Sequence, residues 1–129
     1  MDFSSRRIRV LVADDSPTAL RSVCRYLEYA GEFDVVGTAR DGEHVLQQAE
    51  RFRPDLVLAD LSMPQKNGFE ASSELRRVFP KLRILIFSEL SGVSLREECM
   101  RSGADGFVEK SQMPEKLMQE VRRLFPQNW

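Results

Sequence analysis

Five short apolar runs recur along the chain: Arg9–Ala13, Asp34–Ala39, Leu56–Ala59, Leu82–Phe87 and Gly106–Val108. Most are continuous Val/Ile/Leu segments that do not alternate with polar residues. Strands read this way when both faces are buried, as in a parallel sheet covered by helices on either side. Parallel neighbours need a crossover between them, so each gap has to supply a helix. Leu20, Val23, Cys24 and Leu27 share one helical face, with Ser16 placed as N-cap, Pro17 at the first helical position and Gly31 as the stop. Val45, Leu46, Ala49 and Phe52 repeat the period between Asp41-Gly42 and Pro54. Ala71, Leu75, Val78 and Phe79 form a third face closed by Pro80, and Val93–Arg101 a weaker fourth helix stopped by Gly103. Pro114 opens a fifth, with Leu117, Val121, Leu124 and Phe125 inward.

Five β-α units in a row, joined by right-handed crossovers, predict a doubly wound α/β sandwich, (βα)5. Its parallel sheet is expected in the flavodoxin-like order 2-1-3-4-5. The 129 residues suit a single domain over 1–129 with its core in 8–125, and no linker-like composition divides them. Lys plus Arg number 19 against 20 for Asp plus Glu, so charge does not favour direct nucleic-acid binding. The apolar runs fall far short of the ~20 residues of a membrane span, and the polar segment 1–7 is unlike a signal peptide. Cys24 and Cys99 lack disulfide or metal-ligand spacing and read as reduced thiols on helix faces, which makes the cytoplasm the expected compartment.

In such sheets the ligand site lies beyond the carboxyl ends of the strands. The first run is followed by Asp14 and Asp15, the third by Asp60, the fourth by Ser88, and the fifth, one residue on, by Lys110. Taken singly, each has an ordinary structural explanation: Asp14-Asp15 as helix N-terminal acids, Asp60 as a turn former, Ser88 and Lys110 as solvated loop residues. Together they put three carboxylates, a hydroxyl and an amine at one end of one sheet. Carboxylates without nitrogen or sulfur donors suit Mg2+ or Mn2+ better than Zn2+. A cation and an ammonium beside a carboxylate also suit acyl-phosphate chemistry, because both neutralise charge on phosphoryl oxygens.

The chain closely resembles the receiver domain of two-component response regulators. The matching pieces are Val10-Leu11-Val12-Ala13-Asp14-Asp15, Leu56-Val57-Leu58-Ala59-Asp60-Leu61-Ser62-Met63-Pro64 with Gly68, Ile84-Leu85-Ile86-Phe87-Ser88, and Gly103-Ala104-Asp105-Gly106-Phe107-Val108-Glu109-Lys110. The resemblance covers residues 8–125. It implies a switch, not an enzyme, with Asp60 as phosphoacceptor. It implies Mg2+ held by Asp15, Asp60 and the Ser62 backbone carbonyl, with Asp14 on a metal-bound water. Lys110 would pair with the phosphoryl group, Ser88 would be the switch hydroxyl and Phe107 the aromatic that reorients with it. The implied donor is a sensor histidine kinase or histidine phosphotransfer protein. The implied signalling face is that of helix four, strand five and helix five, with Arg96, Arg101, Lys116, Gln119 and Arg122 as candidate contacts.

Two departures stand out. Ser111 follows Lys110 where the family commonly has a proline in a cis peptide bond, and Lys110-Ser111-Gln112-Met113-Pro114-Glu115 looks like receivers that precede a helix-turn-helix output domain. Glu89 follows the switch hydroxyl where a small or apolar residue is usual. Ser62, Glu89 and Leu90 are therefore expected to tune phosphoryl-transfer and hydrolysis rates. Phe107 reads equally well as a plain core aromatic. His44, the one histidine, is expected to be half exposed without a ligand role. The competing readings are the input domain of a DNA-binding regulator whose output domain is absent here, an aspartyl-phosphate phosphatase, and a flavin carrier. The phosphatase wants a second catalytic Asp where Ser62 stands. The flavin carrier wants a hydroxyl- and glycine-rich loop where Asp14 and Asp15 stand.

Overall fold

The computed structural model describes residues 6–129. Part of the polar N-terminal segment, 1–5, lies outside them. The elements alternate strictly: β1 (Ile8–Ala13), α1 (Pro17–Ala30), β2 (Phe33–Ala39), α2 (Gly42–Phe52), β3 (Leu56–Asp60), α3 (Gly68–Val78), β4 (Arg83–Ser88), α4 (Val93–Arg101), β5 (Gly106–Glu109) and α5 (Glu115–Leu124). All strand pairs are parallel, in the order β2-β1-β3-β4-β5. The expected fold is the one observed.

Both faces of the sheet are covered, which explains the unbroken apolar runs. On one side Leu11, Val57, Ile84, Ile86 and Phe107 pack with Val45, Ala49, Leu75 and Cys99 of α2, α3 and α4. On the other, Val10, Val12, Leu58, Leu85 and Phe87 pack with Val23, Leu27, Leu117 and Val121 of α1 and α5. Neighbours along a strand thus go to opposite layers. The helix ends form as their chemistry dictates. Ser16 Oγ accepts the Ala19 N–H, Pro17 opens α1, and Gly31 closes it at φ 88°. Asn67 and Glu70 form a reciprocal capping box at α3.

One inward assignment differs. Val78 is 52% exposed, because α3 ends there and Phe79, the C-cap, turns back toward the core in its place. The cis peptide bond among the described residues is Met113–Pro114; residues Lys110–Gln112 form a single 3-10 turn. Among the described residues, no helix is long and apolar enough to cross a membrane.

Candidate functional site

Strand order places the chemistry. β1 and β3 are neighbours and their helices leave on opposite sides, so a crevice opens beyond their carboxyl ends. β3 and β4 each run one residue further than their apolar runs, so Asp60 and Ser88 are strand-terminal residues held by sheet backbone, 5% and 2% exposed. Asp14 is fully buried just past β1; its Oδ1 accepts the Ser16 N–H at 2.9 Å, which fixes the turn into α1. Asp15 is exposed. Lys110 reaches in from beyond β5, its Nζ 3.1 Å from Asp14 Oδ2 and 3.5 Å from Asp60 Oδ1. A cavity of about 370 Å3 is lined by Asp14, Asp15, Ser16, Asp60, Ser62, Ser88, Glu89, Leu90 and Lys110. Every site residue expected from the sequence except Phe107 therefore faces one small space.

One carboxylate oxygen from each of Asp14, Asp15 and Asp60 lies within 4.8 Å of the other two. Burial pushes the Asp60 carboxyl up to about 6, the Asp14 charge pushes the same way, and Lys110 opposes both only in part. Burial alone would lower the Lys110 ammonium, but its hydrogen bond to Asp14 and the Asp60 charge outweigh that and raise it. The site thus holds more negative charge than its one ammonium balances. An all-oxygen donor set with that excess fits a hard divalent cation such as Mg2+. Such a cation would favour the ionised form of Asp60.

The loop after Asp60 is held rigidly. The Leu61 N–H donates to Phe87 O at 2.9 Å and the Gly68 N–H to Leu61 O at 2.8 Å. A Cβ on Gly68 would stand 2.9 Å from both Asp60 O and Leu61 Cα, so only glycine lets α3 start this close behind Asp60. Ser88 Oγ accepts the Leu90 N–H at 3.0 Å, leaving its hydroxyl hydrogen to donate into the cavity. Phe107 is not in the cavity wall; it sits in the core layer that α4 packs on, 4% exposed. His44 is half-buried. Sequence reasoning missed Ser16 as a wall of the cavity and Arg96 as the cover of the Phe107 ring, 5.5 Å from its centroid. The Ser16 hint was its place one residue after Asp15; Arg96 was expected only as a polar contact on helix four, and its place over the ring had no sequence signal, since a surface arginine on a weakly amphipathic helix looks like any solvated charge.

A larger groove of about 710 Å3 opens at the opposite end of the strands, beside Arg53, Phe79, Leu82 and Phe125. The carboxyl ends of α2, α3 and α5 meet there, so its cations Arg53, Lys81 and Arg83 answer the negative ends of three helices.

Comparison with known proteins agrees with the geometry. The family model described as response regulator receiver domain matches residues 10–122. The transcriptional regulatory protein DegU of Brevibacillus brevis is 29% identical over 119 residues, 92% of this chain and 50% of DegU. The signal receiver domain of the putative response regulator NarL from Mycobacterium tuberculosis superposes with a TM-score of 0.85 at 29% identity, covering 92% of this chain and 95% of that one. A chain of the CheX–CheY–BeF3–Mg2+ complex from Borrelia burgdorferi gives a TM-score of 0.86 at 25% identity, over 93% and 90%. The chain spans about half the length of the curated relatives it matches.

Proposed function

The chain belongs to the response regulator receiver domains and is a phosphorylation-activated switch; from that premise we propose that Asp60 is its phosphoacceptor. The observation that carries this is the strand-terminal Asp60 carboxylate, crowded by Asp14 and Asp15 and touched by Lys110. In the step, an Asp60 oxygen attacks the phosphorus of a phosphohistidine on a sensor kinase or phosphotransfer protein. The P–N bond breaks and the imidazole leaves. Lys110 stands where its ammonium balances charge on the transferred group. Asp15, Asp60 and the Ser62 carbonyl would hold Mg2+, with Asp14 on a bound water. Bound there, the cation supplies further neutralisation of the phosphoryl oxygens.

Ser88 then donates its hydroxyl hydrogen to a phosphoryl oxygen, and the β4–α4 segment follows. This supplies the differential interaction without which no equilibrium shifts. The signal leaves through α4, β5 and α5, with Phe107 as the aromatic that responds. Intact mass after incubation with Mg2+ and acetyl phosphate tests the assignment. Wild type should gain one phosphoryl group and Asp60→Asn none; a labelled Asp60→Asn protein, or equal labelling in excess chelator, rejects it.

A second reading concerns context. The chain covers only half of DegU and similar regulators, which supports this domain being the input module of a longer DNA-binding protein of the cytoplasm. Residues 1–129 then act as one receiver unit with no catalysis beyond its own phosphorylation and dephosphorylation. Its target would be a fused output domain or a separate protein.

A further inference from the structure

Arg96 sits at the junction between the switch and α4. Its guanidinium carbon lies 5.5 Å from the Phe107 ring centroid, and its Nη2 is 3.5 Å from Glu109 Oε1. Phe107 and Glu109 are two residues apart on β5 and therefore share a face, so one side chain spans both. Lys110, the next residue, holds Asp14 and Asp60.

The rest of α4 gives this core layer few apolar side chains. Cys99 is the buried residue of α4, with Leu95 half-buried against the same core. The N-terminal half of the helix is loosely held: Gly92 offers no side-chain cap, the first turn has no acid, and Leu90 and Val93 are 57% and 71% exposed. The other end is pinned. Ser102 Oγ donates to Cys99 O, Ser73 Oγ to Ser102 O, and Arg76 Nε to Gly103 O. The helix is fixed at its foot and free at the end nearest the cavity.

Displacing an aliphatic roof from a core aromatic exposes apolar surface of the roof as well as the ring. A guanidinium roof behaves differently. It is attracted to the ring face, yet it is hydrated comfortably when it swings away. Uncovering this face of Phe107 therefore needs only the rotation of one side chain that is already half in water.

We infer that Arg96 is a positioning residue of the switch: it holds the Phe107 ring buried in the unphosphorylated domain and ties the free half of α4 to β5. The inference takes the phosphorylation switch as given, but it is carried by geometry that needs no phosphate. A solvated surface charge would have neither effect.

The test places 4-fluorophenylalanine at position 107 and records 19F spectra of wild type, Arg96→Ala, Arg96→Lys and Glu97→Ala, with and without Mg2+ and BeF3−. Without BeF3−, wild type should show one buried resonance. Arg96→Ala should add a solvent-exposed resonance, or shift toward it, and need several-fold less BeF3− for half-saturation because the unphosphorylated arrangement has lost an interaction that holds it. Arg96→Lys should restore much of both, and Glu97→Ala, which loses the Arg101 contact on the same helix, should resemble wild type. An Arg96→Ala ring signal and BeF3− response equal to wild type overturn the inference. So does an equal shift in Glu97→Ala, which would mark general loosening of α4. If BeF3− and Mg2+ change no variant, the phosphorylation reading fails, while the metal-free ring spectra still decide the role of Arg96.

Discussion

The two ends of the sheet handle charge in opposite ways. At the amino end the half-buried charges among the described residues are matched. Arg76 donates to Gly103 O, Pro80 O, Leu82 O and Asp105 Oδ2, and the same Asp105 oxygen accepts the Ile84 N–H. Asp55 accepts the Arg9 N–H, and the Arg9 guanidinium donates to Arg53 O and Phe52 O. At the carboxyl end two buried carboxylates and an exposed third share one ammonium. Matched charges hold α3, β4 and the α4–β5 turn in place; mismatched ones leave a site that gains by taking up a cation or, on Asp60, a proton. The amino end is built for stability, and the carboxyl end gives some up for a response.

The largest effect should come from breaking the matched end. Arg76→Ala removes the donor of three carbonyls and the short ion pair of Asp105, which keeps only the Ile84 N–H and a longer pair to Arg83 at 3.8 Å, a loss of about 2–3 kcal/mol for a half-buried, hydrogen-bonded ion pair. Urea unfolding should show it as a lower midpoint with an unchanged slope. If Arg76→Ala costs no more than replacing an exposed arginine such as Arg77, the amino end is not the anchor described above.

At the mismatched end the sign reverses. Asp60 keeps its proton up to about pH 6 in the folded chain, against the ordinary carboxylate value of 3.8. Between those values the folded state binds more protons than the unfolded one, so stability falls as pH rises and the loss is complete above pH 6. In chelator, Asp60→Asn should therefore be more stable than wild type at pH 8 by about 1–3 kcal/mol, and the advantage should vanish near pH 4. Asp14→Asn is no equivalent relief, since Asp14 carries the Lys110 and Ser16 contacts. Thermal melts of both variants across pH 4–8 check this; an Asp60→Asn advantage that does not grow with pH contradicts it.

Mg2+ should act on wild type in the same direction but less. At ten times its Kd, linkage gives about 1.4 kcal/mol, read as a higher Tm, and Asp60→Asn should show a smaller shift. Equal shifts in the two proteins would place the cation elsewhere.

The same contrast explains what could be read from the residues alone. Asp60, Ser88 and Lys110 were legible because each follows an apolar run, and a polar residue that ends a buried strand has few places to go. α1 was legible to the residue because Ser16, Pro17 and Gly31 act locally. Val78 was misplaced because helical periodicity does not show where α3 stops. The clasp at the amino end and the Arg96 cover join residues distant in sequence, 29 apart for Arg76 and Asp105. Nothing local distinguishes such an arginine from a solvated one. The residues alone left a switch role and a plain core role for Phe107 level for the same reason, since the Arg96 that covers its ring comes from α4.

The smallest expected effect lies at the mouth of the cavity, where Glu89 adds one more anion to the mismatched end. Glu89 and Leu90 line the cavity with Ser62, and both are exposed. If a small anionic donor enters this cavity, the Glu89 charge should slow acetyl phosphate but matter little to a protein donor that brings its own docking contacts. The repulsion is between exposed charges and fades as salt shortens the screening length to about 10 Å at 0.1 M. Leu90 offers no hydrogen-bonding atom to orient a water against the phosphoryl group, and Ser62 offers only a short hydroxyl, so hydrolysis lacks the help that positioning gives. Glu89→Ala should thus speed labelling by acetyl phosphate by roughly two- to fivefold at low salt, the size of one weak charge–charge term, and by less at 0.3 M salt. Leu90→Glu should shorten the phosphoryl lifetime by a similar factor. If Glu89→Ala labels at the wild-type rate at low salt and Leu90→Glu keeps its phosphate as long, both side chains simply face solvent. The excess charge of the carboxyl end would then stop at Asp15.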